Sequence, residues 1–138
     1  MIDNPEIKQK EKAILIGVIH GELNLPTVEE HLEELELLAK TAGADVVGHV
    51  TQKLSRINPS FFLGTGKAEQ IINQAKELGV SLIIFDDELS PAQIKNYSNL
   101  AKDIKVIDRS ALILDIFNQH AQTKEAKTQV ELARLEYM

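Results

Sequence analysis

Two stretches of this chain are apolar almost without interruption: Ala13-Ile14-Leu15-Ile16-Gly17-Val18-Ile19 and Val80-Ser81-Leu82-Ile83-Ile84-Phe85. A strand with one wet face alternates apolar and polar residues. Runs that do not alternate, and are rich in β-branched residues, must be covered on both faces, as in a parallel sheet. Parallel neighbours need crossover connections, usually helices, and the intervening sequence supplies them. Val28, Leu32, Leu35 and Ala39 share one helical face, with Thr27 and Glu30 reading as a capping box and Gly43 as the stop. Ala68, Ile71, Ile72, Ala75 and Leu78 make a second such face, closed by Gly79. Ser90-Pro91-Ala92-Gln93 is a capping box with proline at the first helical position, and it turns Ile94, Tyr97 and Ala101 inward. Asp45–Leu54 and Ile104–Ile107 read as further strands. Asp108 caps a last helix, Ser110–His120, whose apolar residues run nearly all round and so predict deep burial.

The predicted fold is therefore α/β, a mainly parallel sheet of about four strands with helices on both faces. Residues 1–12 read as a loose tail, 13–122 as the domain and 123–138 as the first part of a helical, coiled-coil arm. In that arm Ala126, Val130, Ala133 and Tyr137 follow a coiled-coil seam that stops mid-pattern at Met138. The reading is a piece of a longer protein. A natural short form, or a helix that packs back on the domain, are the alternatives.

Charge narrows the function classes. The net charge of −6 makes the chain a poor general nucleic-acid binder, but the charge is uneven. Glu29, Glu30, Glu33, Glu34 and Glu36 crowd the first helix, whereas Val50–Lys76 carries Lys53, Arg56, Lys67 and Lys76 against Glu69. Without cysteine there is no disulfide, cysteine nucleophile or thiolate zinc site, which fits a cytoplasmic location. No apolar run approaches the roughly 20 residues of a membrane span. Aromatic content of 4% argues against a base-stacking platform.

Ligands on parallel sheets bind beyond the carboxyl ends of the strands. His20, the loop around Arg56, Asp86-Asp87-Glu88 and Asp108-Arg109 lie there. Gly64-Thr65-Gly66-Lys67, just before the second helix, reads as a tight corner aimed by a helix N-terminus, a setting that suits phosphate. It is not a P-loop, because Phe61 stands where that motif needs glycine and Ala68 where it needs Ser or Thr. Nor is it a dinucleotide fingerprint, since Glu69 replaces the third glycine. Gly64, Gly66 and Lys67, with Arg56 and Lys53, are the candidate phosphate- or RNA-binding residues. A tight turn without a ligand is the alternative. Asp86 and Asp87 are weak candidates for magnesium, since acids at that place more often serve the next helix N-terminus. His20, His31, His49 and His120 show no ligand spacing, and no residue is assigned as catalytic.

Several segments, taken in order, carry a resemblance. They are Glu34-Leu35-Glu36-Leu37-Leu38-Ala39-Lys40-Thr41-Ala42-Gly43-Ala44, Asn58-Pro59 through Gly64-Thr65-Gly66-Lys67, and Ile84-Phe85-Asp86-Asp87-Glu88-Leu89-Ser90-Pro91-Ala92-Gln93. Lys105-Val106-Ile107-Asp108-Arg109 and Leu112-Ile113-Leu114-Asp115-Ile116-Phe117, on to Glu125-Ala126-Lys127 and Gln129-Val130-Glu131-Leu132-Ala133, complete the set. Over residues 13–138 the chain resembles the N-terminal domain of the HflX family of ribosome-associated GTPases. The resemblance implies a parent protein with this domain first, a two-helix arm next and a GTPase domain last. It implies binding to the large ribosomal subunit and its RNA, in splitting or rescuing ribosomes under stress. It also implies contact with the protein's own GTPase domain, a monomeric state, and GTP and magnesium held by that GTPase domain. This chain has no Walker A motif, switch elements or guanine-specificity motif, so no residue here is assigned GTP hydrolysis and no cofactor is expected on it. On the residues alone, a stand-alone nucleotide-binding domain and a pure interaction scaffold remain the competing readings.

Overall fold

The computed structural model describes residues 10–121. The elements alternate as β1 (Lys12–Ile19), α1 (Leu25–Thr41), β2 (Asp45–Lys53), α2 (Thr65–Leu78), β3 (Leu82–Phe85), α3 (Pro91–Leu100) and β4 (Lys105–Asp108). A final helix, α4, covers 109–121. All strand pairs are parallel, in the order β2-β1-β3-β4. The two apolar runs thus supply the central strands. Ile14, Ile16, Val18, Ile83 and Phe85 pack on one face with residues of α2 and α3. Ala13, Leu15, Leu82 and Ile84 pack on the other with residues of α1 and with Leu112 of α4.

Gly17 occupies the α1 face of β1. A Cβ built there would lie 2.7 Å from Val28 Cγ1 and 2.9 Å from Leu32 Cδ1. The missing side chain is what lets α1 settle onto the sheet.

Four expectations need correction. The first helix begins at Leu25, not near Val28: Asn24 is the cap, its side chain accepting from Thr27 N at 2.9 Å, with Pro26 in the first turn. Thr27 is therefore inside the helix. Leu78, expected inward, is 57% exposed: it follows the line of Ile71 and Ala75, but at the last turn it faces an open depression beside Gly48 and Val50. β1 starts at Lys12, inside the stretch read as tail. Most consequential is α4. Of its apolar residues Leu112 is buried and Ile116 half-buried, while Ile113, Leu114 and Phe117 are exposed. One sheet face presents one stripe to a helix, whatever the helix composition. Leu112→Ala should therefore lower stability by about 3 kcal/mol, and Phe117→Ala by less than about 1 kcal/mol, in denaturant titration. The expected arm, residues 123–138, lies outside the described residues.

Candidate functional site

The chain steps from β1 out to β2, then returns past β1 to β3, so the topological switch point lies between β1 and β3. Their carboxyl ends carry His20 and Asp86-Asp87. His20 Nε2 meets Asp87 Oδ1 at 3.1 Å across the switch point. Beside it Asp86 is gripped by Arg109, whose Nε and Nη2 lie 2.7 and 2.6 Å from Oδ1. His31 Nδ1 stands 3.5 Å from the other Asp86 oxygen, and Arg109 Nη2 also donates to the His31 carbonyl at 2.8 Å. Asp108 is buried at the end of β4. Its two oxygens accept from Leu89 N and Ala111 N, each at 2.9 Å, joining the loop after β3 to the start of α4. The sequence reading of Asp108 as a cap holds, and the second bond gives it a further role.

These contacts define the place of Asp86 and Asp87. Both carboxylates are engaged by cationic or imidazole side chains. Among the described residues no three His, Asp or Glu side chains are arranged to hold a metal ion.

The glycine corner sits against the same end. Phe61–Leu63 is not a sheet strand but a pinned loop. Asn58 and Phe62 exchange two backbone hydrogen bonds of 2.9 Å, and Asn58 Oδ1 accepts from Ser60 N and Phe61 N. Helix α3 holds the loop from the side: Gln93 Nε2 donates to Asn58 O, Asn96 Nδ2 to Ser60 O and Tyr97 Oη to Phe61 O, at 2.9, 2.9 and 2.7 Å. Burial pushes the Tyr97 phenol up, which keeps it a donor. Phe62 drives its ring between His20 and Phe85, with ring centres 5.9 and 6.0 Å away.

The sharp turn is made by Phe62, not by the glycines. Phe62 has φ 67°, a left-handed conformation that costs a non-glycine residue about 1 kcal/mol or more. Gly64 has φ −59°, which any residue adopts, and Gly66 lies within the first turn of α2. Apart from the adjacent residues and the helix's own backbone, a Cβ at either would meet no described atom within 4 Å. Neither glycine is demanded by backbone or by packing. The bareness of the corner is available to something outside the domain. Gly64 offers no side-chain cap, so the first N–H groups of α2 face outward uncapped. Lys67 is half-buried at that turn, Lys53 ends β2, and Arg56 stands exposed in the loop leading to the corner. Among the described residues none of the three makes an ion pair.

The corner does not have the arrangement of a P-loop. Ala68, where a P-loop places the magnesium-binding hydroxyl, is fully buried in the core, and the Phe61 carbonyl is occupied by Tyr97. What the sequence missed is the bracing by Gln93, Asn96 and Tyr97 and the Asp86–Arg109–His31 cluster. Both join residues far apart in the chain, and no local pattern marks them.

Comparison with known proteins gives one answer. Residues 29–118 match the family described as GTP-binding GTPase N-terminal. The GTPase HflX of Flavobacterium psychrophilum is 49% identical over 128 residues, 93% of this chain and 31% of that protein. The GTPase HflX of Escherichia coli is 44% identical over 109 residues, 79% of this chain and 25% of that protein. A crystal structure of a GTP-binding protein from Sulfolobus solfataricus, in complex with GDP, superposes with a TM-score of 0.64 at 31% identity. It covers 92% of this chain and 36% of that one. The chain spans about a third or less of the length of these two relatives. With the family match running from α1 into α4 and the same α/β fold in a solved relative, the chain belongs to the GTP-binding GTPase N-terminal family, the N-terminal region of HflX.

Proposed function

We propose that this domain is the docking and regulatory module of an HflX-like GTP-binding protein, placing it on RNA of the large ribosomal subunit. In this reading Lys53, Arg56 and Lys67 contact backbone phosphates, and Gly64 and Gly66 let the RNA backbone approach the open N–H groups of α2. The observation that carries it is that two glycines are bare at a braced corner without any internal need for bareness. The neighbouring acids do not oppose a phosphate, because Arg109, His31 and His20 already engage Asp86 and Asp87. GTP and magnesium belong, in this reading, to the rest of the parent protein, as does hydrolysis. The domain docks as a monomer in the cytoplasm, and its contact with the GTPase domain couples ribosome splitting or rescue under stress to nucleotide state. Among the described residues no helix is long and apolar enough to cross a membrane.

Gly66→Ala separates docking from folding. It should leave stability unchanged or raise it by about 0.5 kcal/mol, since alanine suits a helix better than glycine. It should nevertheless weaken co-sedimentation with purified large subunits. A variant that is more stable and docks as well as the parent contradicts the reading. So does a chain that pellets equally with small subunits. Heat on calorimetric titration with GTP or ATP would favour a nucleotide site in the corner instead.

A further inference from the structure

The strand β2 is an edge strand of nine residues, paired to β1 on one side only. We propose that this edge takes up an extended segment of a partner protein as a fifth strand, the segment alternating cationic and aliphatic side chains. This goes beyond the RNA-docking role and does not rest on it.

Three observations point the same way. The first is the backbone. Leu54 N donates to Ile19 O at 2.9 Å, so by alternation His49, Thr51 and Lys53 turn their N–H and C=O groups away from β1. A row of outward donors and acceptors is a template for an added strand. The register shift near Ala13/Ile14 leaves Val47 as the extra residue, so the regular template runs from Gly48 to Lys53.

The second is a groove on each side of that row. On the α2 side a depression of about 350 Å³ is lined by Ile14, Gly48, Val50, Gln74, Glu77 and Leu78. No described atom lies within 4 Å of a Cβ built on Gly48, and Leu78 is 57% exposed. On the α1 side a depression of about 380 Å³ is lined by Glu29, Leu32, Glu33, His49 and Thr51. An added strand sends successive side chains to opposite faces, so it would fill the two grooves in turn.

The third is charge. In the α1-side groove, His49 is held by Glu36 at 2.8 Å, and Lys40 takes the other Glu36 oxygen at 3.0 Å. Those two partners hold the Glu36 carboxyl below its ordinary range. Glu29 and Glu33 make no ion pair among the described residues, so this groove offers two open carboxylates to a partner's cations. The other groove takes aliphatic contacts from Ile14, Val50 and Leu78, with Gln74, Glu77 and His49 also on its lining. A second copy fits less well, because β2 paired to β2 would bring two acidic α1 faces together. Residues 1–9 carry Asp3 and Glu6 against the one lysine Lys8, so they lack the repeated side-chain cations that the groove favours.

The test is fluorescence anisotropy of the full chain with a labelled, end-blocked peptide alternating lysine and valine over the length of β2. Binding should saturate and weaken with salt. Glu29→Lys with Glu33→Lys should lower affinity by about tenfold or more. The same double variant should bind a peptide alternating glutamate and valine better than the parent chain does. Thr51→Pro removes an outward N–H without touching the β1 ladder, so it should abolish binding with little change in thermal stability. Four results with peptides would overturn the proposal. They are binding indifferent to Thr51→Pro, binding indifferent to the charge reversal, equal binding of a peptide with its lysines in one block, or tighter binding of a peptide of residues 1–9. Sedimentation showing a dimer abolished by Thr51→Pro would assign the edge to a second copy and would equally overturn it.

Discussion

Asp108→Ala should destabilise the domain by about 3 kcal/mol, seen as a fall in Tm of about 10 °C. The residue is 7% exposed and accepts two backbone hydrogen bonds, from Leu89 N and Ala111 N. Alanine would remove both acceptors together. The Leu89 bond is buried, so its N–H would lose its partner away from water. The α4 start would lose its cap and the negative charge that its dipole favours. Asp108→Asn keeps one carbonyl acceptor and should lose roughly half as much. The consequence reaches the site, because Asp108 ties the Asp86–Leu89 loop to α4, whose first residue is Arg109. Chemical shifts of His20 and His31 should therefore move in Asp108→Ala. A Tm within about 2 °C of the parent would show that the loop and helix are held by something else.

The second large effect is steric. Gly17→Val should cost about 3 kcal/mol and Gly17→Ala about half of that, in urea titration. The alanine Cβ would already lie 2.7 Å from Val28 Cγ1, whose β-branched side chain is stiff at χ1. The other close atom belongs to Leu32, so the strain can be relieved from that side. Gly17→Ala made in a Leu32→Ala background should cost less than in the parent chain, because the two sites share one contact. Equal costs in both backgrounds would mean that α1 shifts bodily, and that the seating of α1 on β1 is loose.

The parallel sheet was legible because its central strands are the two runs with no polar face, and nothing but burial on both faces suits Ala13–Ile19 and Leu82–Phe85. The Ser90–Gln93 box was legible because capping is local, and the structure forms both of its hydrogen bonds. Local signals also misled. Thr27 looked like a cap because a glutamate follows three residues later, but Asn24 precedes Pro26 and takes the role. In α4 composition stood in for environment: a nearly all-apolar sequence was read as burial, yet one sheet face covers only the Leu112 side. The corner was found from its glycines for a reason the structure reverses. They do not make the turn; Phe62 does, with its strained backbone held by partners on β3 and α3. Those partners are distant in sequence, so no pattern around residue 62 could announce them.

The claim that joins these features is that a rigid, bare, cationic corner at the carboxyl end of the sheet meets RNA phosphates. Its most direct test is the salt dependence of binding to purified large ribosomal subunits, with the parent chain beside Lys53→Ala/Arg56→Ala/Lys67→Ala. Each phosphate contact contributes roughly 0.7 to 0.9 to the slope of log K against log salt concentration. The triple variant should therefore bind more weakly at low salt, with a slope shallower by about 2 to 3. Equal affinity and an equal slope in the two proteins would contradict the account.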